Sequence, residues 1–253
     1  MKTTKLIKLI AIAGLSLSAI SPALAVDTAA KREIYNTNEG SVFGVKGILK
    51  ITATIQGQVK NQEAQIWSNA TCIGDGLLVA AYGSISPNVG GNMPNIEITK
   101  EIEGLKLINS AGEEFDAKLV LHDEDLGLAY IALDPSGENA ANWKNQIVDI
   151  SKDSDLKHLD KTVNISRYAD HFRYQSAVTV GTVSAILQKP RKLYQIIGAS
   201  MSAPSFNEAG QFVGITVTKA ATKGKQSPPV TIPAKYIRKL VEQAAAKQAE
   251  LKK

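Results

Sequence analysis

From residue 40 onward the apolar positions come in short runs separated by turn residues. Ile48 to Ile55 alternates apolar with polar, the two-residue period of a strand with one solvated face. Leu77-Leu78-Val79 follows an Asp75-Gly76 turn. Ile96-Glu97-Ile98 and Leu105-Lys106-Leu107 precede Ser110-Ala111-Gly112, a hairpin signal. Phe115 to Leu121 alternates again, and Leu128 to Leu133 is nearly all apolar. Val163-Asn164-Ile165, Val178 to Leu187 and Phe212 to Val217 continue the series. Many short strands with turns between them predict an all-β barrel or sandwich.

Two polar stretches divide this pattern. Pro135 to Asn145 carries Pro135, Ser136 and Gly137 and separates two strand-rich halves of similar size. Lys219 to Pro229 ends in Pro228-Pro229 and reads as a loop. The last segment changes period. Pro233 suits the first turn of a helix, where no N–H is needed. Ile237, Leu240, Val241 and Ala244 then fall at helical spacing, predicting a helix whose first half packs on the second barrel and whose end is solvated.

The first residues are of another kind. Lys2, Lys5 and Lys8 precede an apolar run from Leu9 to Ile20, broken by Pro22 before Ala23-Leu24-Ala25. This is the pattern of a secretory signal cleaved before Val26, and the run is short of the ~20 residues a membrane span needs. Export to the periplasm or beyond the cell is therefore expected, with no membrane span after cleavage. The expected organisation is a signal peptide over 1–25, a first barrel over 26–134, a linker over 135–147, a second barrel over 148–232 and a helix over 233–253.

Composition narrows the function classes. The chain has 253 residues and a formal charge of +5. Residues 1–25 hold three lysines and no acid, so the charge falls to +2 without them. No run of Lys and Arg interleaved with aromatics occurs in the body, so nucleic acid is not an expected partner. Cys72 is the only cysteine, which excludes an internal disulfide. It lies in the strand-like run Ala70-Thr71-Cys72-Ile73 and reads as a small buried hydrophobe rather than a nucleophile. No metal-ligand spacing and no phosphate-cradling glycine loop are present. The acidic turn Asp123-Glu124-Asp125 lacks the EF-hand pattern, so neither metal nor cofactor is expected.

Four segments carry a resemblance: Gly74-Asp75-Gly76-Leu77-Leu78-Val79-Ala80-Ala81-Tyr82-Gly83-Ser84-Ile85, Phe115 to Ala129, Val178-Thr179-Val180-Gly181-Thr182-Val183-Ser184-Ala185, and Pro204 to Ile215. In order and spacing they resemble the trypsin-like domain of HtrA/DegP serine proteases, and Val230-Thr231-Ile232-Pro233 is similar to that family's approach to its terminal helix. The resemblance runs from about Gly40 to Ala244. It implies two antiparallel six-stranded β-barrels, with the active site in the cleft between them, and a C-terminal α-helix.

The resemblance also implies a catalytic triad, in which Ser attacks, His takes its proton and Asp orients the His. Carried over one at a time, the His position falls on Gly83, with Tyr82 one residue away. The Asp position falls on Gly127 and the Ser position on Met201. The family's Gly-Asn-Ser-Gly-Gly-Pro loop corresponds to Ala199-Ser200-Met201-Ser202-Ala203-Pro204, which lacks the glycines that aim an oxyanion hole. The three histidines, His122, His158 and His171, read as surface or loop residues. The expectation is a catalytically inactive homologue that binds a peptide or protein in the cleft or on its surface. The alternative is a divergent endopeptidase with Ser200 as nucleophile, with His171 as a possible base. A purely structural envelope protein that pairs through its terminal helix is a third reading.

Overall fold

The computed structural model describes residues 21–87, 96–218 and 227–251. The predicted basic start and apolar run of the leader, most of the predicted 219–229 loop and the last two residues lie outside them.

The first barrel comprises β1 (Val42–Ile55), β2 (Gln58–Gly74), β3 (Leu77–Ala81), β4 (Ile96–Ile108), β5 (Glu114–Asp123) and β6 (Leu128–Leu133). It closes antiparallel in the order β1-β2-β3-β6-β5-β4. The β1–β2 turn is Gln56-Gly57, with φ of 51° and 81°. Two successive positive φ values match the twist of a tight hairpin, and Gly57 reaches its value without a Cβ penalty. Phe43, Val45, Leu49, Leu78, Leu107, Phe115 and Ile131 fill the interior.

The runs at Leu77–Ala81 and Leu128–Leu133 are continuous rather than alternating because β3 and β6 are covered on both faces. Leu78, Ala80, Ala129 and Ile131 point into the barrel, while Leu77, Val79, Ala81, Leu128 and Tyr130 join the cluster between the barrels. In contrast, Gln58 to Gln65 of β2 is exposed throughout. Its polar composition hid this strand from the hydrophobic pattern. It pairs only with β1 there, and its side chains Lys60 and Glu63 charge the open edge.

The second barrel comprises β7 (Lys161–Arg167), β8 (Ser176–Leu187), β9 (Leu193–Ile197), β10 (Pro204–Asn207), β11 (Phe212–Val217) and β12 (Val230–Pro233). It closes in the order β10-β11-β12-β9-β8-β7. Between the barrels the chain runs without strands from Asp134 to Asp160, and Val148 N–H reaches back to Cys72 O at 2.9 Å. The architecture is thus the expected one: two closed six-stranded antiparallel β-barrels with a C-terminal helix.

Among the described residues three α-helices frame the barrels: α1 (Ser21–Asn38), the single turn α2 (Tyr82–Ile85) and α3 (Ala234–Glu250). The first was not foreseen, and it runs through the predicted cleavage point between Ala25 and Val26. Ile34 of α1 is buried in the interbarrel cluster. Tyr35 donates its hydroxyl to Ser176 Oγ at 2.5 Å, and Ser176 donates onward to Glu39 Oε1 at 3.1 Å. The terminal helix begins just after Pro233, as its missing N–H allows. It is not confined to the second barrel: Tyr130 Oη of β6 donates to Ile237 O at 2.8 Å, and Gln248 Nε2 donates to Asp75 O at 2.8 Å. Its apolar stripe therefore covers the seam between the two barrels.

A buried guanidinium ties β7 to this frame. Arg167 Nε donates to Val42 O at 2.9 Å and Nη1 to Tyr174 O at 2.8 Å, while Nη2 lies 3.5 Å from Glu39 Oε1. The side chain is 1% exposed. Burial pushes its pKa down, and Glu39 opposes that shift. Replacing Arg167 with Ala would remove the donor to the buried Val42 carbonyl and to the half-buried Tyr174 carbonyl and open a void. A loss of about 2–4 kcal/mol in urea unfolding is expected.

At the start of the linker, Asp134 accepts from Ser136 N at 3.0 Å and Ser136 Oγ at 2.6 Å, with Lys118 Nζ 2.7 Å away. Lys118 first, and then Ser136, hold its carboxyl down to a pKa of about 2. The folded value lies below the unfolded one, about 3.9. The stabilisation is therefore complete above that pH and is lost as pH falls towards 2. Urea unfolding of Asp134→Asn across this acid range should show a flatter loss of stability than the parent chain.

Candidate functional site

The seam between the barrels gathers the three positions to which the resemblance assigns the triad. Each comes from a separate turn. Gly83 lies in α2, just past the end of β3. Gly127 closes the β5–β6 turn with φ of 71°, its N–H donating to Asp123 O at 2.8 Å. The two turns are joined directly, because Tyr82 N–H donates to Gly127 O at 2.8 Å. Met201 lies on the β9–β10 connection of the second barrel.

All three meet Thr218, the residue after β11. A Cβ on Gly83 would stand 3.7 Å from Thr218 O, and one on Gly127 would stand 3.8 Å from the same oxygen. Thr218 Oγ1 donates to Met201 Sδ at 3.2 Å. Positions far apart in the chain thus converge on one residue, but they bring two hydrogens and a thioether. Among the described residues the Thr218 hydroxyl is hydrogen-bonded to no base, and an unassisted hydroxyl is a weak nucleophile.

The histidines do not supply that base. His122 is exposed on β5 and stacks on Tyr82, with ring centroids 4.5 Å apart and planes 10° from parallel. His158 is exposed. His171 is exposed in the β7–β8 connection, against Phe172 and 3.6 Å from Asp170. Among the described residues no histidine nitrogen is hydrogen-bonded to a hydroxyl, so His171 and Ser200 do not form a pair. Ser200 is half-buried, and its carbonyl accepts Ala203 N–H at 3.3 Å.

Ser202 has a different role, one that the sequence did not disclose. It is fully buried and sits at φ of 62°, a conformation that disfavours any side chain. Its Oγ donates to Asn69 O at 2.6 Å and accepts Ala81 N–H at 2.7 Å. Its own N–H donates to Thr216 O at 2.7 Å. The hydroxyl therefore bonds to the other barrel rather than to its own loop. Asn69 is the common node, since its Oδ1 also accepts Arg167 N–H at 2.6 Å. The loop carrying Met201 is held by this staple.

Cys72 is fully buried, accepts Asn145 Nδ2 at 3.1 Å and donates to Gly74 O at 3.1 Å. Burial pushes its thiol pKa up, away from the thiolate. The acidic turn is a local structure in which Asp123 Oδ1 accepts Leu126 N–H at 2.7 Å. Among the described residues no group of three or more His, Cys, Asp or Glu side chains is placed to hold a metal ion.

In comparisons with known proteins, no family model and no curated protein sequence matches this chain.

The staple makes a direct prediction. Ser202→Ala leaves Ala81 N–H buried without its partner and Asn69 O with only the longer Ser68 Oγ bond of 3.3 Å, and a loss of about 1–3 kcal/mol is expected in denaturant unfolding. An unchanged midpoint would show that the hydroxyl does not join the barrels.

Proposed function

We propose that this chain is an exported, catalytically inactive relative of the HtrA-type trypsin-like domains, and that it acts as a peptide- or protein-binding module of the bacterial cell envelope. The observation behind the reading is the convergence of Gly83, Gly127 and Met201 on Thr218 at the barrel seam. The arrangement has the place for a triad and none of its chemistry. Acyl transfer by a serine needs a base within hydrogen-bond reach of the hydroxyl. The positions that would supply one carry no ionisable side chain. An extended chain bound in the cleft between the barrels or on their surface would be held by main-chain hydrogen bonds.

The test uses the purified mature protein with unfolded casein and a fluorophosphonate probe. Casein is expected to be retained uncut, and no serine to be labelled. Labelling of Ser200 or Ser202 accompanied by turnover would establish a rebuilt hydrolase instead. Failure to retain casein or any other unfolded chain would remove the binding reading.

A further inference from the structure

Away from the seam, the β8–β9 connection crosses the start of α3 and gathers six basic side chains. Lys189, Arg191 and Lys192 come from the connection, and Lys235, Arg238 and Lys239 come from the helix. Three of them meet carboxylates: Arg191 with Asp125, Lys192 with Asp155, and Arg238 with Asp153 at 2.6 Å. Among the described residues Lys235 and Lys239 have no carboxylate partner. Lys235 and Lys239 are thus cations of this face that no carboxylate neutralises among the described residues.

The excess is focused on one ring. Lys235, Lys239 and Arg191 lie 5.0, 5.7 and 5.8 Å from the centroid of Tyr236. Any two of these charges are then separated by roughly one Debye length or less, ~10 Å at 0.1 M salt. An aromatic face attracts a cation, but it does not neutralise Lys235 and Lys239, and like charges at this spacing repel; Arg191 is paired with Asp125 through Nη2 and keeps its other donors. Beside Lys235 a hollow of about 200 Å³ opens between Lys192, Tyr194 and Pro233. Its acidic wall, Asp153 and Asp155, is already engaged by Arg238 and Lys192.

We propose that the Tyr236 face is a binding site for a phosphate-type oxyanion, a phosphomonoester or phosphodiester, held by Lys235, Lys239 and Arg191. A phosphate group offers several acceptor oxygens around one centre, so donors arriving from two separate elements can share it. The guanidinium supplies a planar fork and the two ammonium groups supply point charges. A carboxylate, with two oxygens in one plane, satisfies fewer of them.

The experiment titrates the purified protein with inorganic phosphate by calorimetry. In a second arm it is sedimented with phosphatidylglycerol vesicles, with phosphatidylcholine vesicles as control. Saturable, salt-sensitive binding is expected in at least one arm. Vesicle binding beyond the phosphate response identifies a lipid headgroup, and a phosphate response alone identifies a soluble ester. Lys235→Ala with Lys239→Ala should weaken vesicle binding roughly 30-fold, about fivefold per lysine. Lys239→Ala alone, at an exposed position, gives the same direction without risk to folding. Binding in neither arm, equal binding by the double variant, or preference for an oligoglutamate peptide over both phosphate probes would overturn the assignment.

Discussion

The strands of each barrel pair only within that barrel, so no ladder runs from one to the other. The joint must be made by side chains, and one residue of the first barrel takes up two of the bonds that cross it. Asn69 on β2 accepts the Ser202 hydroxyl at its carbonyl and the Arg167 N–H at its side chain. Around this node the contacts are apolar and of low directionality: Val42, Ile73, Leu77 and Val79 against Val163, Ile165, Ile215 and Val217. Apolar burial holds the barrels together, while the few polar bonds specify their register, because a buried group left without its partner is costly.

That register decides what the seam can do. It fixes the β9–β10 connection against the end of β3, and with it the distance between Met201 and the turns carrying Gly83 and Gly127. Ser202 accepts a strained backbone conformation to make the link. The same geometry would serve a catalytic centre well, since three turns from two rigid bodies meet at Thr218. Here the meeting point is filled by main chain, a thioether and a hydroxyl.

Parts of the site were legible in the chain and parts were not. Gly83, Gly127 and Met201 could be named because flanking runs of recognisable pattern count out their positions. Thr218 could not, because nothing in its neighbours marks it as the residue on which three distant turns converge. Nothing around Ser202 or Asn69 in the chain sets them apart from other polar residues. Their partners lie 133 residues apart, and hydrogen-bond demand between such positions leaves no local periodicity to detect. The stacking of His122 on Tyr82 belongs to the same class: each residue is unremarkable until β5 and α2 are placed side by side.

By itself, the amino-acid sequence determined the strand class, the division into two halves, the terminal helix and the chemical poverty of three positions. These depend on residue identity and on periods of two or 3.6, which a chain displays locally. It also marked β3 and β6 through unbroken apolar runs, since a strand covered on both faces has no reason to alternate. The exposed half of β2 escaped because solvent imposes no pattern on it, and α1 escaped because Ile34 and Tyr35, which anchor its end, are adjacent and set no helical period. Closure of the barrels, the spanning of their seam by α3, the Asn69 node and the crowding of cations at Tyr236 were decided by tertiary structure alone. Each is a relation between surfaces that come together only once the chain is folded, and a linear pattern encodes the faces of an element but not the partner each face will meet.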